Sequence, residues 1–209
     1  MIELKDFSLT RGDKDLISNL NFQFKAGKCY GLVGANGSGK SSLLAAIAGD
    51  LPYQGEINYL GRELSNLEFG EFNRYRAVLL QDLTIEYPIT VNEFLELAGS
   101  NTLEEVDKAL SDVGALDLKN ELITTLSKGQ SQRVQIAATF IQNSSVFLLD
   151  EPFSAQDNES VKRLSKLFKN LAKNGKTLII ASHINTPKSL FYGILNLAST
   201  GKKSRRARK

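Results

Sequence analysis

Apolar and polar residues alternate along residues 2–10 and again along 19–25, where Leu20, Phe22 and Phe24 interleave with Asn21, Gln23 and Lys25. A period of two belongs to half-buried strands, so the chain is expected to open with an antiparallel β layer. Ala26-Gly27-Lys28 interrupts the pattern, and Cys29-Tyr30-Gly31-Leu32-Val33 follows as the continuous apolar run of a buried strand. Shorter strands are predicted at 55–61 and at 77–80, the second ending at Gln81. From about 90 to 122 the period lengthens. Val91, Phe94, Leu95 and Ala98, then Leu103, Val106 and Leu110, recur at helical spacing and predict an inserted α-helical lobe over about 84–135. After the helical stretch to 122 come a helix at about 129–142, whose start the lobe includes, a strand at 145–149, a helix at about 158–173 and a strand at 176–181. Apolar runs alternating with helices imply a mostly parallel sheet covered on both faces, an α/β class, with ligands beyond the carboxyl ends of its strands.

The element following the strand at 29–33 carries the strongest chemistry. Gly34-Ala35-Asn36-Gly37-Ser38-Gly39-Lys40-Ser41 is a complete G-x-x-x-x-G-K-[ST] phosphate loop, and Ser42 begins a helix-forming run. Glycines at 34, 37 and 39 let backbone N–H groups turn inward around phosphate. Lys40 is then placed for the β- and γ-phosphates and Ser41 for Mg²⁺, with the following helix dipole favouring the anion. This defines a P-loop NTPase core within the α/β class. A second candidate is the strand at 145–149 ending in Asp150-Glu151, where one carboxylate suits Mg²⁺ and the other suits accepting a proton from water.

Composition narrows the reading. The 209 residues suit one domain, and no run of 18 or more apolar residues is present to span a bilayer. Acidic residues near Met1 argue against a signal peptide, so a cytoplasmic location is expected. The single cysteine, Cys29, excludes an internal disulfide and reads as a buried hydrophobe. The net charge of +3 is concentrated in Lys202, Lys203, Arg205, Arg206, Arg208 and Lys209; the other 20 basic and 23 acidic residues leave −3. The tail at 202–209 is either a solvated, disordered terminus or a contact for anionic lipid or nucleic acid.

Leu126-Ser127-Lys128-Gly129-Gln130 resembles the Leu-Ser-Gly-Gly-Gln signature of the ATP-binding cassette (ABC) ATPases. The phosphate loop, Gln81, this signature, Asp150-Glu151, the Ser154-Ala155-Gln156-Asp157 turn and His183 stand in that family's order, over residues 1 to about 185. The resemblance implies one ABC ATPase domain over 1–201, hydrolysing ATP with Mg²⁺ and pairing head to tail with a second copy. Each nucleotide would lie between one subunit's phosphate loop and the other's signature, through Ser127, Lys128, Gly129 and Gln130. It implies Glu151 as general base, Gln81 as sensor of Mg²⁺ and water, His183 as holder of the γ-phosphate, and Asp157 as a link across the dimer. Mg²⁺ would fall to Ser41, Gln81 and Asp150.

Two residues depart from the family pattern. Lys128 replaces the first signature glycine, and Arg11 stands where an adenine-stacking aromatic is expected, which leaves the choice between ATP and GTP weakly determined. The chain ends soon after His183, so no appended regulatory domain is expected.

The resemblance favours the nucleotide-binding subunit of a transporter whose integral membrane permease is a separate chain, held peripherally on the inner face of the cell membrane. Residues 74–81 and then 87–93 resemble the ATPases of bacterial haem, iron-siderophore and cobalamin importers. Residues 82–98 would then set partner choice, with Tyr87, Ile89 and Phe94 either touching the permease or packing the lobe. A small exporter subunit, as in cytochrome maturation, and a soluble ABC ATPase of iron–sulfur assembly, translation or DNA repair are the alternatives.

Overall fold

The computed structural model of the chain describes residues 1–68, 72, 74–80, 85–100, 102–182 and 186–197. Gln81, His183 and the basic tail lie outside the described residues. Strands β1 (Ile2–Arg11), β2 (Lys14–Phe24), β4 (Gln54–Tyr59) and β5 (Arg62–Glu63) form an antiparallel sheet in the order β2-β1-β4-β5. Strands β6 (Arg76–Leu79), β7 (Val146–Asp150), β8 (Thr177–Ala181), β3 (Cys29–Val33) and β9 (Gly193–Asn196) form a second sheet in that order. All its neighbouring strands are parallel.

The apolar runs in the parallel sheet feed two cores, because successive side chains leave a strand on opposite faces. In β7, Val146 and Leu148 face one core while Phe147 and Leu149 face the other. In β8, Ile179 and Ala181 join the first and Leu178 and Ile180 the second. The first core lies between the two sheets and takes in α1 (Lys40–Ile47) through Leu43, Leu44 and Ile47, against Phe7 and Phe24. Leu148 is fully buried there, and truncation to alanine would cost about 2–5 kcal/mol.

The second core lies under the helices. The predicted lobe is two helices, α2 (Val91–Leu97) and α3 (Leu103–Val113), leading to α4 (Lys128–Ile141). Thr90 caps α2 in a reciprocal box with Glu93, Thr102 caps α3, and Gly114 ends α3 in the left-handed region. Each signal is local, which is why the helical period there was readable. Phe140 of α4 meets Phe147 and Phe168 at ring-centroid distances of 4.8 and 5.7 Å, binding α4 to β7 and to α5 (Asn158–Lys173). Ile89 and Phe94 pack against this core, whereas Tyr87 is 75% exposed.

Sheet register aligns the site. Ala181 pairs with both Leu32 and Asp150, so β3 and β7 end level on either side of β8. The ladder continues past the strand ends: Glu151 N donates to Ala181 O at 2.9 Å, and Ser182 N donates to Leu32 O at 3.1 Å. The phosphate loop and the Asp150-Glu151 pair thus leave the same edge, at the carboxyl ends where open α/β sheets hold ligands.

Candidate active site

Between β3 and α1 the chain closes a tight loop, with Ser38 N donating to Ala35 O at 3.1 Å. Gly39 sits at φ 95°, a conformation costly for any residue with a Cβ, and delivers Lys40 as the first residue of α1. The Lys40 side chain folds back over the loop. Its Nζ donates to Gly34 O at 3.0 Å and to Ala35 O at 3.3 Å, and the residue is only 7% exposed. Ser38 Oγ is buried inside the loop and has no hydrogen-bond partner among the described residues. An ammonium held only by backbone dipoles beside an unsatisfied hydroxyl suits an incoming anion, and the loop therefore fits phosphate.

A cavity of about 300 Å³ opens on this loop, lined by Arg11, Asn36, Gly37, Gly39, Lys40, Ser41, Ser42 and Glu151. The tertiary fold therefore brings Glu151 and the exposed Arg11 to the phosphate loop from positions 111 and 29 residues away from Lys40 along the chain. Ser41 supplies a hydroxyl, and Asp150, buried at the end of β7, supplies a carboxylate. Both are hard oxygen donors suited to Mg²⁺. Among the described residues no group of three or more His, Cys, Asp or Glu is placed to hold a metal. Phosphate oxygens would have to complete the coordination of a cation here.

Glu151 has φ 50° and is 6% exposed. A non-glycine residue there costs about 1–2 kcal/mol and persists only when its surroundings hold it. They do: its N–H donates to Ala181 O at 2.9 Å, and its carbonyl accepts Ser154 N at 3.0 Å and Gln132 Nε2 at 2.6 Å. Held in this backbone conformation, Glu151 lines the cavity on the phosphate loop.

The signature residues lie elsewhere. Ser127 caps α4 and forms a reciprocal box with Gln130: Ser127 N donates to Gln130 Oε1 at 2.9 Å, and Gln130 N donates to Ser127 Oγ at 3.4 Å. The Ser127 hydroxyl oxygen accepts from the helix, and a hydroxyl can donate its own proton at the same time. Ser127 and Lys128 are exposed, Gly129 and Gln130 half-buried, and none of the four lines the phosphate-loop cavity. Asp157 caps α5 by accepting Ser160 N at 2.7 Å. That bond, with the Ser160 side chain and Arg133, holds its carboxyl below the usual carboxylate range. Sequence reasoning assigned nothing to Gln132, Arg133 or the Gln156 side chain, which connect α4 to this turn; the available signal was polar residues on a helix that packs in a core.

A phosphate loop and a buried acidic pair at one edge of a parallel sheet, with an antiparallel layer in front and a helical lobe inserted, define a nucleoside triphosphatase of the phosphate-loop class. The family model described as ABC transporter matches residues 17–154, and the chain belongs to that family. It is an ABC ATPase, an ATP-binding and ATP-hydrolysing subunit. Among its relatives, the hemin import ATP-binding protein HmuV of Chelativorans sp. (strain BNC1) is 34% identical, over 88% of this chain and 76% of that protein. The protein of the same name in Rhizobium etli is 32% identical, over 97% of this chain and 83% of its own length. The structure of an ATP-binding subunit of an ABC transporter superposes with a TM-score of 0.82 at 22% identity, covering 94% of this chain and 85% of that one. The dimeric structure of a bacterial ABC transporter cassette gives 0.79 at 25% identity, over 94% and 95%.

Proposed function

We propose that this subunit powers a membrane permease carried on a separate chain, and that hemin or a related iron chelate is the cargo imported. The single observation supporting a two-subunit engine is that Ser127 caps an exposed helix end outside the phosphate-loop cavity. A second copy would bring its own Ser127 and Gly129 against this cavity, adding a helix N-terminus and a hydroxyl proton to the γ-phosphate. ATP affinity then becomes dimer closure, and hydrolysis becomes reopening. The cargo reading rests on the relatives named for hemin import.

Within each site Lys40 neutralises the β- and γ-phosphates, Ser42 and the loop amides orient them, and Glu151 takes a proton from the attacking water. Mg²⁺, held by Ser41, Asp150 and Gln81 with the phosphates, would supply charge neutralisation of the leaving group. Gln81 and His183 take their roles from the family resemblance alone. Among the described residues no helix is long and apolar enough to cross a membrane, so residence on the inner face would depend on the permease. The exposed Tyr87 lies in the segment proposed to meet it.

Two experiments test the reading. Glu151→Gln protein purified from its native cells with ATP in mild detergent should bring a polytopic membrane protein identifiable by mass spectrometry; recovery of only soluble factors rejects it. Cells lacking the subunit should lose growth on hemin as sole iron source, and normal growth would reject the cargo.

A further inference from the structure

The turn after Glu151 is joined to the signature helix by a continuous set of side-chain bonds within one subunit. Gln156 Nε2 donates to Gly129 O at 3.0 Å and to Gln132 Oε1 at 3.3 Å. Gln132 Nε2 in turn donates to Glu151 O at 2.6 Å. Arg133 donates to Gln156 Oε1 at 3.5 Å and to Ser160 Oγ at 3.3 Å. Backbone carbonyls only accept and a guanidinium only donates, so the orientation of both amides follows without ambiguity. The backbones also touch. A Cβ on Gly129 would fall 2.6 Å from Ala155 O, too close for any side chain, and Ala155 itself is at φ 55°. On the far side, the Phe153 ring packs 5.5 Å from Phe168 of α5.

We propose that Gln156 is a positioning residue for hydrolysis, fastening the signature turn of α4 to the strained backbone that holds Glu151, with Gln132 as the intermediate. This rests on the reading of Glu151 as base. The signature of one subunit grips the nucleotide of its partner, while Glu151 of that same subunit acts on its own nucleotide. With Gly129, Gln156, Gln132 and Glu151 moving as one body, correct seating of the signature at one site sets the carboxylate at the other. The absence of a side chain at Gly129 then serves this internal contact as well as any approach of phosphate.

The test compares Gln156→Met, Gln132→Met, the double variant and Glu151→Gln as full-length chains, reading ATPase kcat and KM, ATP-driven dimerisation and melting temperature. Gln156→Met is expected to lower kcat about 5- to 10-fold with KM within twofold and dimerisation retained. The double variant should be no slower than the slower single, since both residues lie on one path. A melting temperature that falls while kcat and KM stay put makes the contact structural only and overturns the proposal, as does a kcat within twofold of wild type beside an inactive Glu151→Gln. Retained turnover in Glu151→Gln instead removes the base assignment beneath it. Should Gln156→Met fail to fold, Gln156→Glu keeps the bond from Arg133, loses those to Gly129 and Gln132, and is read against the same outcomes.

Discussion

The ammonium of Lys40 lies 3.0 Å from the carbonyl oxygen of Gly34, at the start of its own loop. A long flexible cation is therefore already folded over the anion site, and little side-chain freedom remains to be lost when phosphate arrives. Hydrogen bonds to charged groups contribute about 1.5–3 kcal/mol, so Lys40→Met should weaken ATP binding roughly 10- to 100-fold. Titration with a fluorescent ATP analogue measures this, and a change below threefold would contradict the assigned role.

Replacing Glu151 by glutamine keeps the size and the strained backbone of this residue and removes its proton acceptor. Turnover should fall by roughly 10²–10⁴ with ATP binding retained, because loss of a general base has that size. Near-normal turnover in a phosphate-release assay would sink the assignment.

Ser127 serves both as helix cap and as proposed contact to the partner's nucleotide, and the two roles separate experimentally. Ser127→Ala removes the capping box, at a cost of about 1 kcal/mol and about 2–4 °C in melting temperature. It should also abolish ATP-driven dimerisation while leaving the monomer's ATP affinity intact. Light scattering with and without ATP, beside a binding titration, reads both; dimerisation at wild-type ATP concentrations would leave Ser127 as a cap alone.

Burial pushes the Cys29 thiol up to about 12 from an ordinary 9.0. The folded chain keeps the proton that the unfolded chain releases, so this contribution is full below pH 9 and is lost as pH rises towards 12, at up to ~1.4 kcal/mol per pH unit. Burial raises Tyr59 in the same direction. Cys29→Ala, though less stable near neutrality, should lose stability less steeply with alkaline pH in denaturant titrations. Equal slopes would mean that the thiol stays reachable by solvent.

Elements whose signals are local were readable in advance. The helix expected at 158–173 is α5 (Asn158–Lys173), whose cap Asp157 stands beside it in the chain. The strand expected at 29–33 is β3, because an unbroken apolar run of that length has nowhere to go but a covered sheet. β2 was read too short: it starts at Lys14, where pairs such as Thr10 with Asp15 and Arg11 with Lys14 make polar residues into strand by hairpin pairing with β1. Ile89 and Phe94, left open between partner contact and core, are half-buried and pack against the second core, Phe94 from α2 and Ile89 from the segment just before its cap.

At the site, the phosphate loop and the acidic pair are consecutive residues whose chemistry is written in their order, so the sequence alone determined the class of reaction and the presence of a signature, while Arg11 left the choice of nucleotide base open. Tertiary structure decided how these pieces meet. Ala181 brings β3 and β7 level, Glu151 adopts the left-handed region and lines the cavity, and the signature residues stay outside the cavity of their own chain. The Gln132, Gln156 and Glu151 connections span 19 to 24 residues along the chain and depend on how α4 docks on the turn after β7. Hydrogen bonds between side-chain amides and distant carbonyls follow from that docking, whereas a capping box or a glycine turn is complete within four residues.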